Sequence, residues 1–387
     1  MQRSRLHLLA TALAAAVLLA GCGGGGNDAA PRVAINRVVV AGDSLADAGT
    51  FGFKFTVQNS ANPAAGFPIF PQIVAQDFGV ASECNFFVFT GTTFVANPQA
   101  GCTDFAIGAG RIQNPDNQGG NAGPQSIPLQ LATAGQVVGT YSASDLVLVD
   151  GGGNDSGDLL SAFLGAGTGA AGLAAYQAFL AHQLDAATIA ATLPQPNGAV
   201  TAAVLYMRKL ADTYYASAKT NALDRGATHV ALLDMPDISL TPRVQAALAQ
   251  VAQASGGGTA GAATAANVQT ALRAWTDAFN AELRTDVGSD TRVAVVPFDA
   301  DFTEEVNNAA TFGLTNVTTP ACAVVGVTSF GDPSPCTSAA LDANPPAGLA
   351  PGWWQTWAFS DGFHPTPFGH QLLAASVNRA LARAGWL

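Results

Sequence analysis

The sequence predicts an α/β fold in which a mostly parallel, five-stranded sheet lies between two layers of helices. Three observations support this prediction. Five short apolar runs, rich in β-branched residues, recur along the chain, and segments with helical spacing separate them. Three of these runs end directly in glycine turns. Strands that alternate with helices form parallel sheets covered on both faces, so we expect a three-layer α/β/α architecture.

The predicted elements follow one another in a regular order. The strands are expected at 36–40, at 104–111 (where an apolar step runs into a glycine turn), at 145–150, at 228–233 and at 291–296. The helices are expected at 70–79, 125–134, 199–225, 243–254, 263–285, 303–310 and 366–383. No internal repeat and no boundary between two cores is visible in the sequence. Residues 33–387 are therefore predicted to form a single domain with insertions at about 80–103, 156–198 and 313–352.

The first 21 residues resemble a bacterial lipoprotein signal peptide. A basic start precedes an apolar run at 8–20 that is too short to span a bilayer. Cys22 directly follows Leu-Ala-Gly and resembles the lipobox cysteine, which is lipidated and becomes the first residue of the mature chain. Position 23 is Gly and not Asp, which in this resemblance favours attachment to the outer membrane. The protein would then face either the periplasm or the cell surface. Residues 22–32 would be a flexible tether; the alternative is an ordinary signal peptide and a secreted protein.

The charge balance excludes some classes of partner. The formal net charge is -11, and only 11% of the residues are charged. An acidic chain poor in Lys and Arg is a poor nucleic-acid binder. Anionic lipid surfaces would also repel it, so we expect membrane contact only through the N-terminal lipid anchor.

The remaining cysteines form two local pairs, Cys84 with Cys102 and Cys322 with Cys336. None lies in a C-x-x-C motif or at zinc-like spacing from a histidine, so no metal site is expected. In an oxidising compartment the local pairs are the natural disulfides, although other pairings and free thiols stay open.

Three side chains have the types and spacing that nucleophilic catalysis needs. Ser44 follows a predicted strand that stops at Gly42, which places it at the carboxyl edge of the sheet, where α/β proteins bind ligands. A serine nucleophile needs a base and a group that orients the base. His364 lies three residues after Asp361 in a turn bounded by Gly and Pro, a spacing that lets the carboxylate fold back onto the imidazole. Asn154, just past another strand end, can offer its amide at the same edge.

These segments resemble the four ordered blocks of the GDSL, or SGNH, hydrolase family. The blocks are GDSL at 42–45, a glycine turn after a second strand, GGND at 152–155 and DGFH at 361–364. Asp47 also matches the extended first block of the lipase-like branch. The resemblance covers nearly the whole mature chain and implies a flavodoxin-like sheet with no metal and no cofactor.

The resemblance also implies roles for individual residues. Ser44 would be the nucleophile, His364 the general base and acid, and Asp361 the group that orients His364. The oxyanion hole would consist of the Ser44 N–H, the Asn154 side chain and a backbone N–H of block two. The family begins that block with Asn, where this chain has Asp104, and the usual glycine position then falls on Ala109. The donor in this block is therefore Ala109 or one of its neighbours, Gly108 and Gly110.

The leading hypothesis is a serine ester hydrolase that acts on small-molecule or lipid acyl esters. A carbohydrate O-acetyl esterase or an acyltransferase of the same superfamily is the alternative, and a non-catalytic surface lipoprotein is an alternative of another class. The GxGxxG match at 167–172 does not follow a strand, which argues against a dinucleotide site. No GxSxG occurs, which argues against an α/β-hydrolase elbow. The aromatic segment at 353–359 either packs in the core or lines an acyl pocket.

Overall fold

Four parallel strands form the central sheet, and all of them end at the same edge. The computed structural model describes residues 33–81, 83–328 and 331–387. In chain order, the strands in these residues are β1 (Arg37–Ala41), β2 (Phe87–Phe89), β3 (Phe94–Ala96), β4 (Asp145–Val149), β5 (Val230–Leu233) and β6 (Val293–Val296). The parallel sheet has the spatial order β1-β4-β5-β6, and β2 and β3 form a separate antiparallel hairpin.

Helices cover both faces of the sheet. In the described residues they are α1 (Phe70–Asp77), α2 (Ile127–Val138), α3 (Gly153–Ala166), α4 (Ala170–Leu180), α5 (Ala186–Thr192), α6 (Gly198–Asn221), α7 (Pro242–Ala254), α8 (Gly258–Val287), α9 (Phe298–Asn307), α10 (Ser338–Ala343) and α11 (Pro367–Arg383). Successive residues of a strand point to opposite faces. Val39 and Val147 accordingly pack in one core with Tyr206 of α6 and Trp275 of α8, while α1 and α11 pack together against the sheet. The predicted α/β fold with a mostly parallel sheet is confirmed.

The prediction of a fifth strand at 104–111 is wrong. This segment runs beside β1 but pairs with it through only one isolated parallel bridge, between Val40 and Asp104. The Val40 N–H donates to the carbonyl of Thr103, and the Val40 carbonyl accepts the N–H of Phe105. These two backbone hydrogen bonds hold the segment in place. The carboxylate of Asp104 then accepts the N–H of Ala106 at 2.9 Å, and the chain turns before a ladder can form. The sheet therefore has four strands, and β1 is the edge strand beside the block-two turn.

Both predicted disulfides are present, Cys84–Cys102 and Cys322–Cys336. The second lies in the irregular stretch before the C-terminal helix, where the buried side chains of three tryptophans pack around it. These are Trp353, Trp354 and Trp357. The backbone N–H of Cys322 donates to the carbonyl of Ser360 at 2.7 Å. The disulfide-bonded segment thus supports the loop that precedes α11.

The predicted signal peptide, the lipidated Cys22 and the tether at 22–32 lie outside the described residues. In the part of the chain that the structure describes, no helix combines the length and the apolar character needed to cross a bilayer.

Candidate active site

Ser44 lies in the turn that follows β1, with only 4% of its surface exposed. Gly42 permits this turn because a Cβ there would lie 1.7 Å from the carboxylate of Asp150. The Gly42 N–H donates to the side chain of Gln130 at 2.8 Å, which fixes the end of the strand. The Ser44 Oγ lies 2.7 Å from Nε2 of His364. The predicted nucleophile therefore contacts the predicted base.

His364 is held on its other side by Asp361. Its Nδ1 lies 2.6 Å from one carboxylate oxygen of Asp361. The second oxygen accepts the N–H groups of Phe363 and His364 at 2.8 and 2.7 Å. Burial tends to raise the pKa of Asp361, but the charge of the His364 imidazolium and these hydrogen bonds outweigh it and leave the pKa below its ordinary value. The carboxylate thus stays ionised, which favours the His364 tautomer with its proton on Nδ1.

Three backbone N–H groups in block two are candidate oxyanion donors, and the structure narrows the choice among them. The Gly108 N–H donates to Asp47 at 2.8 Å, and the Gly110 N–H donates to the carbonyl of Ile107 at 2.9 Å. Among the described residues, the backbone N–H groups of Ser44 and Ala109 have no partner. Ala109 has a φ of 63°, an uncommon backbone conformation for a residue with a side chain. Of the three candidates in this turn, Ala109 is therefore the one with a free N–H.

Asn154 stands on the first turn of α3, beside Asp43 and Gly110. Its amide nitrogen donates to the carbonyl of Gly110 at 3.0 Å and lies 3.4 Å from a carboxylate oxygen of Asp43. Since an amide carries two hydrogens and the second contact is long, one hydrogen stays largely available to a ligand. The carbonyl of Ala109 is held by Arg111 at 2.6 Å, which orients the peptide group of this turn.

Asp47 connects the turn after β1 with the block-two turn. One of its carboxylate oxygens accepts the N–H groups of Gly49 and Thr50 at 2.9 and 2.7 Å, and the other accepts that of Gly108. Burial raises the pKa of Asp47 to about 6, although these hydrogen bonds oppose the rise. This carboxylate therefore positions Ala109 relative to Ser44.

The sequence did not single out Asp150, a buried carboxyl at the end of β4. Burial and the neighbouring charge of Asp43 raise its pKa well above the ordinary value. Its carboxyl oxygens have no hydrogen-bond partner of good geometry among the described residues, although the backbone and carboxyl of Asp43 lie close enough to act on it. Burial also raises the pKa of Asp43 itself. The two carboxyls therefore retain a proton that the unfolded chain releases. The available signal was an aspartate inside an otherwise apolar strand, directly before the glycine turn.

Asp150→Asn is expected to stabilise the protein at pH 8 by about 1–3 kcal/mol and to flatten its pH dependence. A raised folded-state pKa makes the stability greatest below the unfolded value of 3.8, and this stability is lost as the pH rises towards the folded value. An amide needs no such proton. Thermal unfolding at pH 5 and pH 8 measures the effect, with Asp116→Asn at an exposed carboxylate as control. An unchanged or steeper pH dependence in Asp150→Asn would contradict the assignment.

Two cavities meet at Phe363, next to His364. The first, a narrow cavity of about 60 Å³, starts at Leu45 and is almost entirely apolar; its wall includes Phe298, Phe302, Phe359 and Leu373. The second, of about 230 Å³, lies beside Asn154 and is more polar; its wall includes Arg111, Asp158 and Arg243. Phe359 belongs to the aromatic segment predicted at 353–359, whereas the tryptophans of that segment pack in the core. The tryptophans therefore pack in the core, Phe359 lines an apolar cavity, and its role in an acyl pocket stays a prediction.

Comparisons with known proteins place this chain in a family. A family model described as GDSL-like Lipase/Acylhydrolase matches residues 38–377. No curated protein matches the chain. Among solved structures, phospholipase A1 from Streptomyces albidoflavus NA297 is 15% identical, with 90% of this chain and 100% of that chain covered and a TM-score of 0.39. An extracellular lipase from Streptomyces rimosus is also 15% identical, with coverages of 89% and 99% and a TM-score of 0.37.

Proposed function

The chain belongs to the GDSL-like lipase/acylhydrolase family and is a carboxylic ester hydrolase, and from this premise we propose that it cleaves esters of apolar acyl chains through an acyl-enzyme on Ser44. One observation supports this proposal most strongly: the Ser44 Oγ contacts His364 within hydrogen-bond distance, and His364 contacts Asp361 in the same way. A serine needs an adjacent base to act as a nucleophile at neutral pH, and the base needs a group that fixes its tautomer.

In the first half of the reaction, the Ser44 Oγ attacks the ester carbonyl while its proton passes to Nε2 of His364. Asp361 holds the proton on Nδ1 and stabilises the imidazolium that forms. The N–H groups of Ser44 and Ala109 and the amide of Asn154 donate to the oxyanion. As the tetrahedral intermediate collapses, the bond to the alcohol oxygen breaks, and His364 returns its proton to the leaving alcohol.

In the second half, His364 takes a proton from water, whose oxygen attacks the acyl-enzyme carbonyl. The Ser44 ester bond breaks, Ser44 regains a proton from His364, and the carboxylic acid leaves. Every proton transfer thus uses the same ring nitrogen, and no metal is needed in these steps.

The two cavities suggest where the acyl and alcohol parts of a substrate bind. The apolar cavity next to Leu45 suits an acyl chain, because burying apolar surface there is favourable and requires no polar partner. The cavity beside Asn154 suits the alcohol portion, which brings hydrogen-bonding groups to Arg111 and Asp158. An amphipathic ester with an apolar acid and a polar alcohol fits both, which favours lipids over acetylated carbohydrates.

We further propose that the protein is an exported lipoprotein attached to the outer membrane through Cys22. The N-terminal sequence supports this, and the two disulfides suit an oxidising compartment. Mass spectrometry of the mature N-terminus from a bacterial host tests it. An unmodified chain released into the medium would instead favour secretion.

A panel of p-nitrophenyl esters with acyl chains from acetyl to palmitoyl tests the substrate class. We expect kcat/KM to rise by about tenfold or more from acetyl to a medium-length chain, because each buried methylene contributes about 0.8 kcal/mol until the cavity is filled. A sharp preference for acetyl would overturn the acyl-lipid proposal in favour of an O-acetyl esterase. Transfer of the acyl group to an added alcohol, in place of hydrolysis, would favour an acyltransferase.

A further inference from the structure

The apolar cavity beside Ser44 contains one charged side chain, that of Glu305. This residue lies on α9, on the same helix face as Phe298 and Phe302, which also line the cavity. Its exposed fraction is only 7%. Apart from Glu305 and Thr241, the residues that line the cavity are apolar. The Thr241 hydroxyl already donates to the carbonyl of Ile238, so Glu305 is the polar group that still has bonding capacity there.

The Glu305 carboxyl has no hydrogen bond or ion pair with another described residue. The charges that act on it most strongly are those of Asp301, Arg379 and Glu304. Of these, Arg379 donates to Asp301 at 2.8 Å, and Asp301 also accepts the hydroxyl of Ser376. The Arg379 guanidinium is therefore engaged by Asp301, while the Glu305 carboxyl borders the cavity.

A carboxyl in this position is costly for an enzyme that takes plain alkyl chains. An alkyl chain in the cavity would displace any water from Glu305 and leave a buried polar group unpaired. A chain with a hydroxyl group would supply the missing partner. A site with a polar group that requires a substrate hydroxyl discriminates strongly against the analogue that lacks it.

We propose that Glu305 is a specificity-determining residue that selects acyl chains carrying a hydroxyl group at a position along the chain. This inference rests on the proposed function, because it takes the apolar cavity as the acyl site. Leu45 and Pro365, the neighbours of Ser44 and His364 in sequence, line the same cavity as α9. An acyl chain that starts at Ser44 and enters this cavity would therefore run towards the helix that carries Glu305.

A hydroxyl group fits Glu305 better than an ammonium group does. Burial raises the pKa of this carboxyl to about 7, although Arg379 opposes the rise, so both protonation states are present near neutral pH. A hydroxyl can donate to the carboxylate and accept from the carboxylic acid, whereas an ammonium group pairs only with the carboxylate.

The test compares p-nitrophenyl octanoate with a set of hydroxyoctanoates whose hydroxyl moves along the chain. For the wild type, we expect one or more hydroxyoctanoates to exceed octanoate in kcat/KM by about tenfold or more. Glu305→Leu should reverse this preference, with a loss for the hydroxyoctanoate and a gain for octanoate. Glu305→Gln, which keeps hydrogen-bonding capacity, should retain part of it. Asn307→Leu, at an exposed position of the same helix, should leave the ratio unchanged.

The outcomes separate the two proposals. If the wild type hydrolyses octanoate but Glu305→Leu changes both substrates equally, or changes neither, the inference on Glu305 is wrong and the proposed function stands. If the wild type hydrolyses none of the acyl esters, the proposed function fails and this inference fails with it.

Discussion

Ser44→Ala is expected to lower kcat/KM for p-nitrophenyl esters by about 10⁴- to 10⁶-fold. The variant lacks the atom that would form the proposed acyl-enzyme, while His364, Asn154 and the backbone donors keep their places. What remains is the smaller rate enhancement that binding and oxyanion stabilisation supply without a nucleophile. Because the side chain of Ser44 is small, its removal should change the free energy of unfolding by about 1 kcal/mol or less.

A fluorophosphonate probe measures the same residue without a substrate. Wild-type protein should form a covalent adduct on Ser44, and the alanine variant should form none. Ser217→Ala is a suitable control, since the Ser217 hydroxyl donates to Thr213 within α6. A folded wild type that neither hydrolyses esters nor reacts with the probe would support the non-catalytic lipoprotein and sink the catalytic assignment.

Asp361→Asn should lower kcat by about 10³- to 10⁴-fold with little effect on KM. The aspartate receives two backbone N–H groups on one oxygen and His364 on the other. An asparagine would keep its oxygen towards the backbone donors and turn its NH₂ group towards His364. The ring would then accept a hydrogen bond at Nδ1 and carry its proton on Nε2, so it could not take the proton of Ser44.

Steady-state kinetics of Asp361→Asn, with thermal unfolding as a check on the fold, measures this effect. Asp332→Asn is the matched control, since Asp332 is exposed and caps a surface turn through the Ser334 N–H. If Asp361→Asn retains more than about a tenth of the wild-type kcat, Asp361 does not determine the tautomer of His364.

The sequence predicted best where one local pattern determines the structure. The strand that ends at Gly42 and the Asp361–His364 turn depend on residues within a few positions of each other, and both lie as predicted. The 104–111 segment differs because pairing along β1 competes with the turn that Asp104 makes with its own backbone. Composition does not show which of these contributions is larger.

Long-range contacts could not be predicted from the sequence, for a different reason. Which of Gly108 and Ala109 has a free N–H depends on Asp47, which is about 60 residues away and reaches Gly108 only in the folded state. Glu305 belongs to an ordinary amphipathic helix pattern, in which nothing indicates that its face meets the cavity beside Ser44. The candidate nucleophile, its base and Asn154 were therefore predictable, whereas the choice of Ala109 in block two and the place of Glu305 were not.

The contact between Cys322 and Ser360 makes the support of the catalytic loop depend on the redox state of the compartment. The disulfide-bonded segment supports the loop that carries Asp361 and His364, through the Cys322 N–H and that of Ala321, which donates to Phe359 at 3.0 Å. In a reducing cytosol the Cys322–Cys336 bond does not form, and the loop loses this covalent support. Full activity of the ester hydrolase would then require oxidation of this cysteine pair.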